Sequence, residues 1–141
     1  MNVDNNPEID NTLIFRIMVV DVNKDITTTY IQYLEEMDEF KFKAEAYNSP
    51  YEALQKFRES PEETYDILLI DIDMPGMDGI GLYKEIQKSN KKVPKILFVT
   101  AYETFHNLLK QSYPEMEEKN FIRKPVTQRD LLTKLKQELQ N

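Results

Sequence analysis

The chain has 141 residues, enough for one domain with a core of its own, and its 40% hydrophobic and 30% charged residues are an ordinary balance for a soluble fold. It has no cysteine, which excludes a disulfide framework and a thiolate metal site. A net charge of −7 lacks the basic footprint of direct nucleic-acid binding, no apolar stretch approaches the roughly 20 residues that span a bilayer, and Met1–Glu8 lacks the regions of a secretion signal, so the expectation is a cytoplasmic protein.

Residues 1–12 are polar and read as a flexible N-terminal tail, leaving 13–141 as the domain. Leu13–Val20 is a nearly unbroken apolar run, a strand that ends at Asp21. Over Asp25–Met37, Ile26, Tyr30, Tyr33, Leu34 and Met37 recur at helical spacing; Thr27, Thr28 and Thr29 lower the intrinsic propensity, so packing must hold this helix. Phe40–Tyr47 alternates strictly, as a half-exposed edge strand does. Ser49-Pro50-Tyr51-Glu52 reads as a capping box with Pro at the first helical position, opening a helix to about Glu59.

Ile67–Ile70 has the composition of a central strand covered on both faces, and it ends at Asp71. Pro75 and Gly76 turn the chain beyond it, and Ile80–Ser89 reads as helix, with Asp78 as its cap. Ile96–Ala101 is another buried run, ending in a hydroxyl and a small residue. Phe105, Leu108, Leu109 and Tyr113 fall on one helix face, and Pro114 stops that helix; His106, the only histidine, reads as a surface residue on it. Phe121-Ile122 is a short strand closed by Lys124-Pro125, while Tyr102 reads as a core aromatic. Thr127–Asp130 is a second capping box, and Leu131, Leu132, Leu135 and Leu139 form the stripe of a last helix. Strands alternating with helices in this way imply an α/β fold: a five-stranded parallel doubly wound sheet with five helices and right-handed crossovers.

Four strands therefore end in Asp21, Asp71, Thr100 and Lys124. A single aspartate after a strand most often caps a turn. In a parallel sheet, however, these ends share one edge, and neighbouring strands are only about 4.8 Å apart, so the four side chains can converge. Two carboxylates favour a divalent cation bound through oxygen, and a hydroxyl and an ammonium can hold an anion beside it.

The order of Asp21, the Asp71–Gly79 motif, Thr100-Ala101 and Lys124-Pro125 resembles the receiver domain of two-component response regulators, in a stand-alone, chemotaxis-regulator-like form, from about Leu13 to the C-terminus. The resemblance implies a flavodoxin-like strand order of 2-1-3-4-5. It implies that Asp71 accepts a phosphoryl group from a histidine kinase or phosphotransfer protein, and that Thr100 and Lys124 contact the phosphoryl oxygens. It also implies Mg²⁺, held by the carboxylates of Asp21 and Asp71 and the backbone carbonyl of Asp73. Ala101 matches a small residue that leaves the phosphoryl group room, and Lys124–Pro125 matches a cis peptide. Phe121 matches an aromatic that switches rotamer together with Thr100, turning inward. The surface that reports this to an unknown downstream protein, or to a second copy as a dimer, is then the helix near Phe105–Ser112, the strand at Phe121 and the helix from Thr127. Such a protein is not an enzyme; it catalyses only its own phosphorylation and dephosphorylation.

One position departs from the family pattern. Two consecutive acids are usual at the end of the first strand, and here they are Asp21-Val22. Losing a charge from a hard-cation site weakens it. Asp21 must then coordinate directly, or Asn23, Asp25 or Asp73 must assist. Val22 also keeps a second class open, a receiver-shaped adaptor that binds no Mg²⁺ and is not phosphorylated. A third class is a phosphatase of the DxD type, with Asp71 as nucleophile and Asp73 as general acid, but in those enzymes the motif follows the first strand and a further acidic pair follows.

Overall fold

The computed structural model describes residues 13–89, 91–101, 107, 111 and 118–140. Strands β1 (Ile14–Val20), β2 (Lys41–Tyr47), β3 (Ile67–Asp71), β4 (Lys95–Thr100) and β5 (Phe121–Arg123) form one sheet in the order 2-1-3-4-5, every pairing parallel. The described helices are α1 (Lys24–Glu35), α2 (Pro50–Glu59), α3 (Gly79–Lys88) and α4 (Gln128–Leu139), and a 3₁₀ turn at Glu118–Asn120 precedes β5. Of the helix expected near Phe105–Ser112, only Asn107 and Gln111 are described, and both are helical. The tail expected over 1–12, and Tyr102, His106 and Pro114, lie outside the described residues.

The sheet is apolar on both faces because side chains alternate along each strand. Met18, Val20, Leu68, Ile70, Ile96, Phe98 and Phe121 point to one layer, where Leu54 and Phe57 of α2 and Leu82 and Ile86 of α3 cover them. Ile17, Val19, Ile67, Leu69, Leu97, Val99 and Ile122 point to the other, under Tyr30 and Leu34 of α1 and Leu131 and Leu135 of α4. Burying each such side chain fully stabilises the fold by about 1.5–3 kcal/mol, which is how three consecutive threonines can remain helical in α1. One of the three, Thr27, is itself buried.

β2 is the edge strand that its alternation implies, with Lys41 and Lys43 exposed. The start of β1 differs from the expectation of a buried run, since Leu13 and Ile14 are 53% and 57% exposed. β1 outruns its central neighbour: pairing with β3 begins only at Ile17, so Leu13 and Ile14 lie beyond the end of β3. The capping boxes also differ. Thr127 and Asp130 close reciprocally, whereas Ser49 accepts the Glu52 N–H at 3.3 Å without a returning bond, and Glu52 stays in solvent at the positive end of α2.

The turn from β3 into α3 fixes the position of Asp71. Asp78 caps α3, accepting the Gly81 N–H at 2.7 Å, and the Gly79 N–H donates to the Ile72 carbonyl at 2.9 Å. This brings the first turn of α3 against the end of β3: a methyl group on Gly79 would lie 2.5 Å from the Asp71 carbonyl oxygen and 2.7 Å from Ile72 Cα. Backbone cannot yield as a side chain can. Gly79→Ala is therefore expected to destabilise the fold by about 1–3 kcal/mol, as overpacking does. Gly81→Ala, whose methyl would meet only the Met77 and Asp78 side chains, should be close to neutral. Equal denaturant midpoints for the two variants would contradict this account.

Candidate functional site

All four predicted site residues stand at the C-terminal edge of the sheet. Asp21 follows β1, Asp71 ends β3, Thr100 ends β4 and Lys124 follows β5. Asp21, Asp71 and Thr100 are 2%, 3% and 4% exposed, and such burial is unusual for the two carboxylates unless they are paired. The pairing is with Lys124, whose Nζ lies 3.0 Å from Asp71 Oδ1 and 3.5 Å from Asp21 Oδ2. Thr100 joins the site through the backbone, its carbonyl accepting the Lys124 N–H at 2.9 Å. The Ile72 N–H donates to the Val99 carbonyl at 2.9 Å, so β3 stays tied to β4 past Asp71. The Lys124–Pro125 peptide is cis, in agreement with the resemblance. Ala101 stands exposed just beyond β4, offering only a methyl group.

Asp21 is held through its main chain and one carboxylate oxygen. Its N–H donates to the Tyr47 carbonyl at 3.1 Å, and its Oδ1 accepts the Asn23 N–H at 2.8 Å. The Asn23 side chain, considered above as a cation ligand, is occupied elsewhere: its Oδ1 caps α1, accepting the amides of Asp25 at 2.9 Å and Ile26 at 3.3 Å. Asp25 lies exposed in the first turn of α1, where an acid favours the helix. What remains at the centre is Asp21 Oδ2 and Asp71 Oδ1, two buried oxygens with no well-aligned hydrogen-bond donor, though both lie within ion-pair range of Lys124.

Two buried, incompletely satisfied carboxylate oxygens facing one point fit a hard divalent cation. They are the acidic donors available: Val22 is 39% exposed and has no donor atom, and among the described residues no three His, Cys, Asp or Glu side chains cluster. Asp73 is exposed, and its backbone amide hydrogen-bonds to Asp71.

The electrostatics follow from burial. Loss of water pushes the Asp71 carboxyl up to about 6; the close Lys124 ammonium opposes this, and the negative charge of Asp21 adds to it. Burial alone would lower the Lys124 amine, but bonding to Asp71 and the charges of Asp71 and Asp21 outweigh it and raise the amine above its ordinary value. Tyr30, which reads in the sequence only as part of the α1 stripe, also senses the site: burial first, then the charges of Asp21 and Asp71, hold its hydroxyl protonated.

Phe121 differs from an aromatic waiting outside the core. It is buried already, its ring stacked on Phe98 with centroids 5.9 Å apart. The inward turn expected of it has no exposed starting position in this structure.

The raised Asp71 carboxyl makes stability depend on pH in a defined direction. Its folded value, about 6, exceeds the unfolded value of about 3.9, so the ionised form is penalised in the fold. The penalty is fully present above pH 6 and disappears as the pH falls toward 4, because there the native state binds the extra proton. Asp71→Asn removes it and should stabilise the protein at pH 7.5 by on the order of 2 kcal/mol, several degrees in melting temperature. The gain should vanish near pH 4. Melting curves of both proteins across that range are the check, and a gain independent of pH would contradict the assignment.

Comparison with known proteins agrees with this geometry. The model of the response regulator receiver domain matches residues 17–136. The chain is 30% identical over 121 residues to the transcriptional regulatory protein CpxR homolog of Haemophilus influenzae, covering 86% of this chain and 48% of that protein. It is 29% identical over 120 residues to the regulatory protein VanRB of Enterococcus faecalis, covering 85% and 50%. The chain thus spans about half the length of these two curated relatives. Among solved structures, a response regulator receiver domain protein (CheY-like) from Methanospirillum hungatei superposes with a TM-score of 0.68 at 28% identity, covering 91% of this chain and 95% of that one. The Vibrio cholerae chemotaxis protein CheY4, at 20% identity and a TM-score of 0.72, covers 89% and 98% and shares the fold. The family match runs from within β1 into α4 and includes the four converging strand ends, and the chain belongs to the response regulator receiver domains of two-component signalling.

Proposed function

We propose that this receiver domain is a phosphoacceptor and that Asp71 takes the phosphoryl group from a phosphohistidine of a kinase or phosphotransfer protein. The observation that carries the reading is the buried Asp71 carboxylate, 3.0 Å from the Lys124 ammonium, with a second buried carboxylate 3.5 Å from the same ammonium. An Asp71 oxygen attacks phosphorus, the P–N bond breaks, and its electron pair returns to the donor imidazole. In this reading Lys124 exchanges part of its ion pair for a phosphoryl oxygen, and the Thr100 hydroxyl donates to another. When bound, Mg²⁺ supplies charge neutralisation for those oxygens, and the carboxylates of Asp21 and Asp71 with the Asp73 carbonyl are the groups that would hold it. The only turnover in this reading is formation and hydrolysis of the domain's own acyl phosphate.

The setting proposed is cytoplasmic; no described helix is long and apolar enough to cross a membrane. The net charge of −7 favours a protein over nucleic acid as the immediate recipient of the signal. The phosphoryl group adds roughly 1.5–2 negative charges beside Thr100 and Lys124, and the surface around Phe121 and α4 is where partner binding or dimerisation would report it. Val22 alone favours the other reading, an adaptor that is never phosphorylated.

Incubation with a small-molecule phosphodonor, read by intact mass, separates the two readings. The unaltered chain should gain one phosphoryl mass with Mg²⁺ and little without it, and Asp71→Asn should gain none. Labelling of that variant would sink the assignment, and an unlabelled native chain would favour the adaptor. The missing acid has its own test: Val22→Asp should tighten Mg²⁺ binding about tenfold, since ligand charge sets affinity in hard-cation sites. An unchanged titration would mean that Val22 costs the site nothing.

A further inference from the structure

We infer that Asn48 is a positioning residue for the site, a clamp that sets where the lone first-strand carboxylate, Asp21, presents its free oxygen. This rests on the metal-assisted phosphoacceptor reading above and extends it to a residue outside the strand-end cluster. Asn48 directly follows β2, the strand beside β1. Its side-chain Nδ2 donates to the Asp21 carbonyl at 2.8 Å and to the Thr27 Oγ1 of α1 at 3.1 Å. The orientation of the amide is fixed by its partners. A carbonyl can only accept, and the Thr27 hydroxyl spends its own proton on the Lys24 carbonyl at 3.0 Å, so it too must accept from Asn48.

The consequence for Asp21 is a complete set of restraints. Its N–H is held by the Tyr47 carbonyl, its carbonyl by Asn48 and its Oδ1 by the Asn23 N–H. Only Oδ2 is left, and it is the oxygen that faces Lys124. Two adjacent acids could tolerate a loosely placed first one. With Val22 in the second position, Asp21 alone must supply the β1 contribution, so its placement matters more. Asn48 also joins the ends of β1 and β2 to the first turn of α1, because Thr27 is buried beneath it.

The test uses the full chain and two readouts. One is amide hydrogen exchange at Asn23 in the metal-free protein, which reports the Asn23–Asp21 bond. The other is affinity for Mn²⁺, measured by water-proton relaxation, with melting temperature recorded alongside. Asn48→Ala should lower Asn23 protection and weaken Mn²⁺ binding about tenfold, the scale of an outer partner of a metal ligand, without an equivalent loss of stability. Thr27→Val should act in the same direction, while Thr27→Ser, which keeps the hydroxyl, should behave as the native chain. Unchanged Asn23 protection in Asn48→Ala overturns the clamp. So does unchanged Mn²⁺ affinity in that variant when Asp21→Asn weakens it. If the native chain binds no Mn²⁺, the metal reading fails and this inference with it, and the Asn23 amide still distinguishes that result from failure of the clamp alone.

Discussion

Two carboxylates and one ammonium share a desolvated crevice at the mouth of the sheet, and the rest of the structure is arranged around keeping them there. Each charge is expensive to bury alone. Without Lys124, Asp21 and Asp71 would repel one another across a site with little water; without the carboxylates, Lys124 would be driven toward its neutral form. A buried ion cluster is weak evidence for stability, since well-packed apolar residues often serve as well. Its cost is carried by the two apolar layers that enclose the sheet, and its presence points to chemistry rather than to folding. The strand order does the assembling: β3 lies between β1 and β4, so Asp71 is flanked by Asp21 and Thr100, and Lys124 enters from β5.

In the phosphoacceptor reading, the inward position of Phe121 bears on how a signal would leave this site. Phe98 is sandwiched, stacked on Phe121 on one side and met edge-on by Tyr83, with centroids 5.6 Å apart and planes at 84°. These rings fill the layer beneath the end of β4. Aromatic contacts of this kind add to area burial by about 0.5–1.5 kcal/mol each. In the proposed reading, a movement of Thr100 toward a phosphoryl group would act on a layer that is already packed, since Phe121 is buried against Phe98. Close-packed interiors transmit such shifts because they cannot absorb them.

Most of the fold was legible because it is written in two periods. Ile67–Ile70 and Ile96–Val99 are apolar at every position, which only a doubly covered strand tolerates, and Phe40–Tyr47 alternates as an edge strand must. The strand ends were legible for the same reason, since a polar residue closing a buried run stands out. Exposure of Leu13 and Ile14 was not, because it depends on β1 being longer than β3, and relative length is a property of the pairing. Asn23 offers a side-chain oxygen beside Asp21, but that this oxygen caps α1 depends on geometry the sequence does not show. Asn48 gave no signal beyond a polar residue before Ser49-Pro50, as expected of a turn. Its contact with Asp21 spans 27 residues and exists only once β2 lies beside β1.

Val22 sets two properties of the site against each other. A second acid beside Asp21 would add a donor for the cation, but in the absence of cation it would also add negative charge near Asp71. Like charges favour the protonated form, and Asp71 is already pushed up to about 6 by burial and by Asp21. A further rise would leave a smaller fraction of it ionised at neutral pH, and only the ionised carboxylate is a nucleophile. With Val22, one ammonium answers two carboxylates rather than three, and Asp71 stays largely ionised without help from a bound ion. In the phosphoacceptor reading proposed above, the site gives up cation affinity and keeps Asp71 ionised. That exchange is tolerable only if the single remaining β1 carboxylate is held in the right place, which is what the hydrogen bonds from Asn23 and Asn48, and to Tyr47, accomplish.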